Sequence, residues 1–322
     1  MNSKSSGISG LVSALLLNRL NIKIRIYEQT ENIQSIGFGL NLLPYCVKTL
    51  YELGLENELN EISIKTGKVL FYSRYGQLIF EDLRGLDGDY RCPMCSIHRG
   101  YLHQLLFRHV RQKLGHSSIK LSQKLINFTN KSDYIQMGFL NTTTGEIKSD
   151  VTKLLIGADG INSTVRKILY PNDGPPICQG LHTWRGLTSV DKLYLDGRTM
   201  ICMENPDTAY FVMYPLNNNL INPACVSRVK QEDTSFLAPD KSEWTNIGHW
   251  KDSLPLIKDM KLDFIDIEQI IKSSTVINQF PITDRNIISQ WTFNGVTLIG
   301  DAAHPMHIRC SSIISFFHSL WY

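Results

Sequence analysis

The sequence predicts an α/β fold in which a Rossmann-like domain is interleaved with a β-rich one, and three observations carry that reading. A glycine turn, a helix and an alternating strand ending in an acidic residue follow one another over residues 5–28. Two further strand–glycine turn–helix pieces lie at residues 153–169 (KLLIGADGINSTVRKIL) and 295–306 (GVTLIGDAAHPM). Between them the texture changes to short, aromatic-rich alternating runs of the kind that form hairpins. At 322 residues the chain is long for a single core, so one large or two intimate domains are expected. The glycine turns near the two ends then belong to one discontinuous domain (1–66, 84–180 and 281–322), with 67–83 and 181–280 forming the other.

The opening MNSKSSGISGLVSALLLNRLN has a lysine followed by an apolar stretch, as a secretory leader does. Only residues 11–17 are densely apolar, and Asn18-Arg19 closes the run without a small-residue cleavage site. A helix inside a nucleotide fold is therefore expected. The pattern G-x-G-x-x-G falls on Ser5, Gly7 and Gly10, so its second and third glycines are present. Such glycines let the backbone approach a pyrophosphate and let the helix pack closely on its strand. The helix N-terminus adds free amides and the positive end of its dipole. IKIRIYE (22–28) follows as a strand, and Glu28 ends it at the distance where an acidic residue binds ribose hydroxyls. A glycine turn before an ordinary core helix is the plainer alternative. Upstream, Met1-Asn2-Ser3-Lys4 is shorter than the buried strand of roughly five or six residues that should precede the turn, so that strand is expected to be missing.

Further along, GKVLFYSRYGQLIFEDL (67–83) reads as a hairpin turning at Tyr75-Gly76, and MICMENPDTAYFVMYPL (200–216) as a second strand pair. There Tyr210, Phe211, Met213 and Tyr214 are better candidates for core than for a pocket. Leu154-Leu155-Ile156 and residues 296–299 suit buried parallel strands. Residues 242–272 look helical, with Trp244, Trp250, Ile257 and Phe264 as core candidates.

Composition excludes several classes. A net charge of +3, from 33 basic and 30 acidic residues, gives no reason to expect a nucleic-acid or membrane-surface partner. No run reaches the roughly 18 apolar residues of a membrane span. Seven scattered cysteines (46, 92, 95, 178, 202, 225 and 310) fit reduced thiols in a cytoplasmic protein better than a disulfide framework. Cys92-Pro-Met-Cys95 is a lone CxxC without the second pair a zinc site wants, so two unpaired thiols and no metal are expected. No hydrolase triad or phosphoryl-transfer motif is present.

Taken together, GFGLNLLPYCVKTLYELGL (37–55), SIHRGYLHQLL (96–106), GADGINSTVR (157–166), WRG (184–186) and GDAAHPM (300–306) resemble the class A flavoprotein monooxygenases, the FAD-dependent aromatic hydroxylases. SIHRG, TWRGLT and FPITDR resemble the phenazine side of the phenazine- and salicylate-hydroxylase branch. The resemblance runs from residue 5 to about 306, each motif in family order. It implies a Rossmann-like FAD-binding domain and a β-rich substrate domain. It places Gly7 and Gly10 at the FAD pyrophosphate, Glu28 at the adenosine ribose, and Arg99 at the phosphate or ribityl part, where a fork of donors suits an anion. Asp159 and Gly160 lie in the motif used near the pyrophosphate and for NAD(P)H, and Arg166 ends it. Gly300 permits the turn that presents Asp301 to the ribityl hydroxyls. Plainer roles stand beside these. Asp159 and Asp301 are also favoured helix N-caps, Arg99 a surface ion-pair residue, and Trp184-Arg185 either substrate-side or structural.

The implied reaction uses NAD(P)H and dioxygen to hydroxylate a small aromatic substrate, with FAD carrying the hard step and no side chain identified as catalytic. The resemblance breaks after residue 306. The family continues with a glycine-rich loop and a helix against the flavin ring, whereas here His307-Ile308-Arg309-Cys310 and SSIISFFHSLWY follow. No glycine occurs after Gly300. The expectation is a copy truncated at both ends, with the C-terminal helices missing. His304 is expected as a packed core residue. The alternatives are a non-catalytic remnant that at most binds FAD or a protein partner, and a flavin reductase on the same fold.

Overall fold

The structure, a computed structural model, describes residues 7–33, 37–205, 209–228 and 247–305. The expectations for residues 1–5, for the tail after Pro305 and for Trp244 lie outside the described residues. Two compact units emerge, one drawn from residues 1–34, 103–179 and 282–322 and the other from 35–102 and 180–281.

In the first unit, helix Ile8–Arg19 buries Leu11, Ala14 and Leu15. The strand after it is shorter than the pattern suggests, since only Ile26–Tyr27 pairs, in parallel with Ile119–Lys120. A ladder forms only where a partner strand exists, and residues 22–25 show none among the described residues. Leu155–Gly157 lies parallel to Val296–Leu298, which also pairs with Thr292–Phe293. Leu154, predicted to start a buried strand, is exposed. An antiparallel sheet of Gln123–Asn130, Ile135–Asn141 and Ile147–Thr152 supplies Ile135, Met137 and Phe139 on alternate positions. They pack with Val165, Val296, Leu298, Ala302 and Ala303 in one core.

The second unit centres on a sheet that is seven-stranded among the described residues. Its order is Ser274–Asp284, Ile177–Ser189, Leu220–Arg228, Ala209–Asn217, Thr199–Asn205, Lys68–Ser73 and Leu78–Leu83. Both expected strand pairs form, 68–73 with 78–83 and 199–205 with 209–217. A smaller sheet of Gly39–Leu42, Met94–His98 and Ser63–Thr66 belongs to the same unit. The Gly39 amide donates to Asn222 Oδ1 at 2.5 Å, and a Cβ at Gly39 would stand 2.5 Å from the Tyr214 ring. These contacts group residues 35–66 and 84–102 with the larger sheet, where the sequence division had placed them in the other domain.

The long helical stretch predicted over 242–272 is two short helices among the described residues, Trp250–Ile257 and Ile267–Lys272. Pro255 lies inside the first and removes a backbone donor. Asp266 starts the second by accepting the Gln269 amide at 2.9 Å. Of the core candidates, Ile257 is buried, but Trp250 and Phe264 are 36% and 41% exposed. Trp250 instead lies beneath the ammonium groups of Lys251 and Lys272, and Phe264 tilts against Tyr72. Phe211, Met213 and Tyr214 are buried as expected, with Phe211 and Met213 fully enclosed beside Ile201 and Ile257. Phe211→Ala should therefore lower stability by about 3–5 kcal/mol, read as a reduced urea midpoint at unchanged slope.

Candidate cofactor site

The first unit brings several glycine turns to the C-terminal ends of its parallel strands, where open α/β sheets bind ligands. Gly7 precedes helix Ile8–Arg19 in extended conformation, with no side-chain cap and no acidic residue in the first turn. The first helical bond is Leu11 N–H to Gly7 O, at 3.0 Å. The amides of Ile8, Ser9 and Gly10 thus have no intrahelical acceptor and point out of the positive end of the helix. Gly10 itself lies within the first turn of the helix. A Cβ on Gly7 would meet nothing within 4 Å among the described residues.

Gly157 and Gly300 close adjacent parallel strands, and the Ile299 amide donates to Gly157 O at 3.0 Å. A Cβ at Gly157 would stand 2.9 Å from both Leu298 and Val165, so this glycine permits close helix–strand packing. Gly300 has φ +56°, and a Cβ there would lie 2.5 Å from Ser9 Oγ. The 300–303 turn is therefore seated directly on the first turn of the N-terminal helix. Gly160 has φ +74°, and a Cβ there would meet nothing within 4 Å among the described residues.

Asp159 performs the capping role weighed for it. Its Oδ1 accepts the Ser163 hydroxyl, and its Oδ2 accepts the amides of Thr164 (2.6 Å) and Val165 (3.2 Å). Ser163 in turn accepts the Arg166 amide at 2.9 Å. Burial pushes the Asp159 carboxyl up, against the pull of these donors. With both oxygens engaged in the start of helix Thr164–Leu169, a ligand contact from this position falls to the main chain. Glu28 is wholly buried at the end of its strand, and its Oε1 accepts the Thr30 amide at 2.8 Å. Asp301 is exposed in the short 3-10 turn Gly300–Ala302. His304, expected in the core, is exposed and tilts against Trp291 with ring centres 4.9 Å apart. Arg99 belongs to the second unit, where it opens helix Arg99–Leu114 and its amide donates to Phe38 O at 2.9 Å.

Sequence reasoning missed the polar network behind the turns. Arg166 is fully buried and uses all five N–H groups. Its Nε and Nη2 grip Asp173 at 2.8 and 3.0 Å, and Nη2 also reaches Asn286 O at 2.7 Å. Its Nη1 donates to Ala302 O (3.3 Å) and Ala303 O (3.1 Å). Arg285 pairs with Asp173 as well and donates to Ile161 O at 2.6 Å and Gly174 O at 3.0 Å. Burial pushes the Asp173 carboxyl up, but Arg166 and then Arg285 outweigh it and hold the group below its usual range. Its stabilising contribution is complete above the unfolded value of roughly 3.9 and is lost as pH falls through the lower folded value. Urea midpoints measured from pH 5 downward should fall less steeply for Asp173→Asn than for the parent chain. Equal slopes would show that Asp173 does not carry this acid sensitivity.

Residues 6–308 match the FAD binding domain family. The phenazine 1,6-dicarboxylic acid hydroxylase PhzS of Lysobacter antibioticus is 31% identical over 312 residues, covering 94% of this chain and 75% of that protein. A 6-hydroxynicotinate 3-monooxygenase of Bordetella bronchiseptica is 23% identical, with 94% and 75% covered. Among solved structures, Klebsiella pneumoniae HpxO complexed with FAD and uric acid superposes with a TM-score of 0.75 at 19% identity, over 95% of this chain and 73% of that one. The 2,6-dihydroxypyridine-3-hydroxylase from Arthrobacter nicotinovorans gives 0.73 at 19%, over 96% and 78%. The chain belongs to the FAD binding domain family, among the class A FAD-dependent aromatic hydroxylases. Its residues fit that cofactor: among the described residues the helix after Gly7 has no side-chain cap, a Cβ at Gly7 or Gly160 would meet nothing within 4 Å, and carboxylates stand at Glu28 and Asp301.

Proposed function

We propose that the first unit binds FAD and that the protein is a monooxygenase using NAD(P)H and dioxygen to hydroxylate a small aromatic compound, the second unit being the substrate domain. The observation that carries this reading is the helix N-terminus at Gly7, without a side-chain cap among the described residues, with the Gly300 turn seated on it. Gly7, Gly10 and the first-turn amides hold the pyrophosphate, which needs donors and a positive dipole end rather than a side-chain cation. Glu28 takes the adenosine ribose and Asp301 the ribityl hydroxyls, carboxylates being the natural acceptors for sugar hydroxyls. Gly160 and the main chain of Asp159 approach the phosphates. When bound, FAD supplies electron transfer from NAD(P)H to dioxygen and delivery of one oxygen atom to the ring.

The names of the relatives favour a nitrogen-containing aromatic acid as substrate. Free thiols at Cys46, Cys92, Cys95, Cys178, Cys202 and Cys225 favour a reducing, cytoplasmic setting. No helix among the described residues is long and apolar enough to cross a membrane.

The test is a purified chain supplied with FAD, NADH or NADPH, and phenazine-1,6-dicarboxylate or 6-hydroxynicotinate. The expected result is a yellow protein whose colour bleaches with the nicotinamide, takes up oxygen and yields a product heavier by one oxygen atom. A colourless protein that takes up no FAD would overturn the reading. Nicotinamide oxidation that leaves every aromatic compound unmodified would make it a reductase instead.

A further inference from the structure

We infer that Asp173 is a positioning residue for the cofactor, one carboxylate that locks the 159–161 turn and the 300–303 turn into a single arrangement. The inference rests on the FAD-binding reading of those turns. It is carried by where each hydrogen bond of the Arg166–Asp173–Arg285 cluster ends. Arg166 stands between Asp173 and the Ala302 and Ala303 carbonyls, immediately after Asp301. Arg285 stands between Asp173 and the Ile161 carbonyl, immediately after Gly160. The side chains of Arg166, Asp173 and Arg285 are 0%, 6% and 8% exposed, so little water can substitute for a lost partner.

A guanidinium can grip a carboxylate on one edge and carbonyls on another because its donors sit in a rigid plane. Two guanidinium groups facing one carboxylate therefore transmit its position to two different turns. Neither arginine reaches both turns by a hydrogen bond of its own, so Asp173 is where the two arms meet. A displacement of the order of ~1 Å at a ligand-binding turn is enough to weaken binding severely.

The experiment measures FAD affinity of apo-protein by flavin fluorescence titration, and the thermal midpoint of the same apo-protein, for the parent chain, Asp173→Asn and Arg285→Met. Asp173→Asn keeps the shape and removes the charge. Arg285→Met leaves the Arg166–Asp173 pair and cuts the arm to Ile161. The expected result is a roughly ten- to hundredfold weaker FAD affinity of the folded fraction in both variants. Asp173→Glu, which restores the charge, should recover part of it. The visible circular dichroism of the bound flavin should also change, which a uniformly destabilised but correctly shaped site would not show. Lower thermal midpoints with parental affinity would overturn the inference and leave the binding reading intact. A parent chain that binds no FAD would overturn both. If neither variant folds, the cluster determines the fold alone, and the inference is likewise overturned.

Discussion

Arg166→Met should unfold with about 3–5 kcal/mol less free energy than the parent chain, a loss as large as that expected from emptying the core at Phe211. The methionine fills much of the same volume but offers no donor. It leaves the Asp173 carboxylate with Arg285 as its remaining charged partner, strands the buried carbonyls of Ala302 and Ala303, and removes the Nη2 donor from the Asn286 carbonyl. Each stranded acceptor carries its own desolvation cost, which is why removing one member of a satisfied buried network costs more than the network contributes net. Urea titration followed by tryptophan fluorescence checks the magnitude. A loss below about 1 kcal/mol would mean that water reaches these carbonyls and the network is not sealed. Arg166→Lys should recover little, because one ammonium cannot reach Asp173, Asn286 and Ala303 together.

Gly300→Ala should weaken FAD binding more than it weakens the fold. The added Cβ meets two obstacles of different kinds. At φ +56° an L-residue is strained by about 1–3 kcal/mol wherever it is placed. In addition the Cβ would lie 2.5 Å from Ser9 Oγ and 2.9 Å from Ser9 Cβ. The hydroxyl can rotate away, but the Ser9 Cβ moves only with the first turn of helix Ile8–Arg19. The substitution therefore wedges the turn carrying Asp301 away from the helix amides proposed to hold the pyrophosphate. A tenfold or greater rise in the FAD dissociation constant is expected. The double variant Ser9→Gly/Gly300→Ala relieves the steric part and leaves the backbone part. Partial recovery of affinity in the double variant is the diagnostic result, and its absence would assign the whole effect to backbone strain.

These two positions also show what the sequence made legible. Gly300, Gly157 and Gly160 were readable because a positive φ or a close backbone approach excludes other residues, and that exclusion is written locally. For Asp159 the sequence offered a helix cap and a cofactor contact side by side, and only packing could assign its carboxylate to the helix N-terminus. Asp173 was not readable at all. It sits in Pro-Asn-Asp-Gly, where an aspartate is ordinary turn chemistry, and its arginine partners come from separate elements. Arg285 was visible only as part of a motif carrying a resemblance, with no chemistry attached. The strand predicted over 22–28 shrank to two paired residues because alternation reports which face is apolar and not whether a neighbouring strand is there to pair with. Trp250 and Phe264 were misplaced because one helical period was drawn across the break between Ile257, where the first helix ends, and Asp266, which begins the second.

The seating of Gly300 on Ser9, and the reach of Arg166 to Ala303, 137 positions away, bear on the order of events during synthesis. The glycine helix leaves the ribosome early, yet the turn that packs on it is made only after the whole of the larger sheet has been translated. Contacts of such long range close late and slowly, because chain entropy must be surrendered before they return any stabilisation. The second unit can thus condense on the nascent chain while the first waits, its helix face uncovered and open to chaperones. Any loading of a cofactor at these turns should accordingly follow synthesis of residues 300–303, later than condensation of the larger sheet.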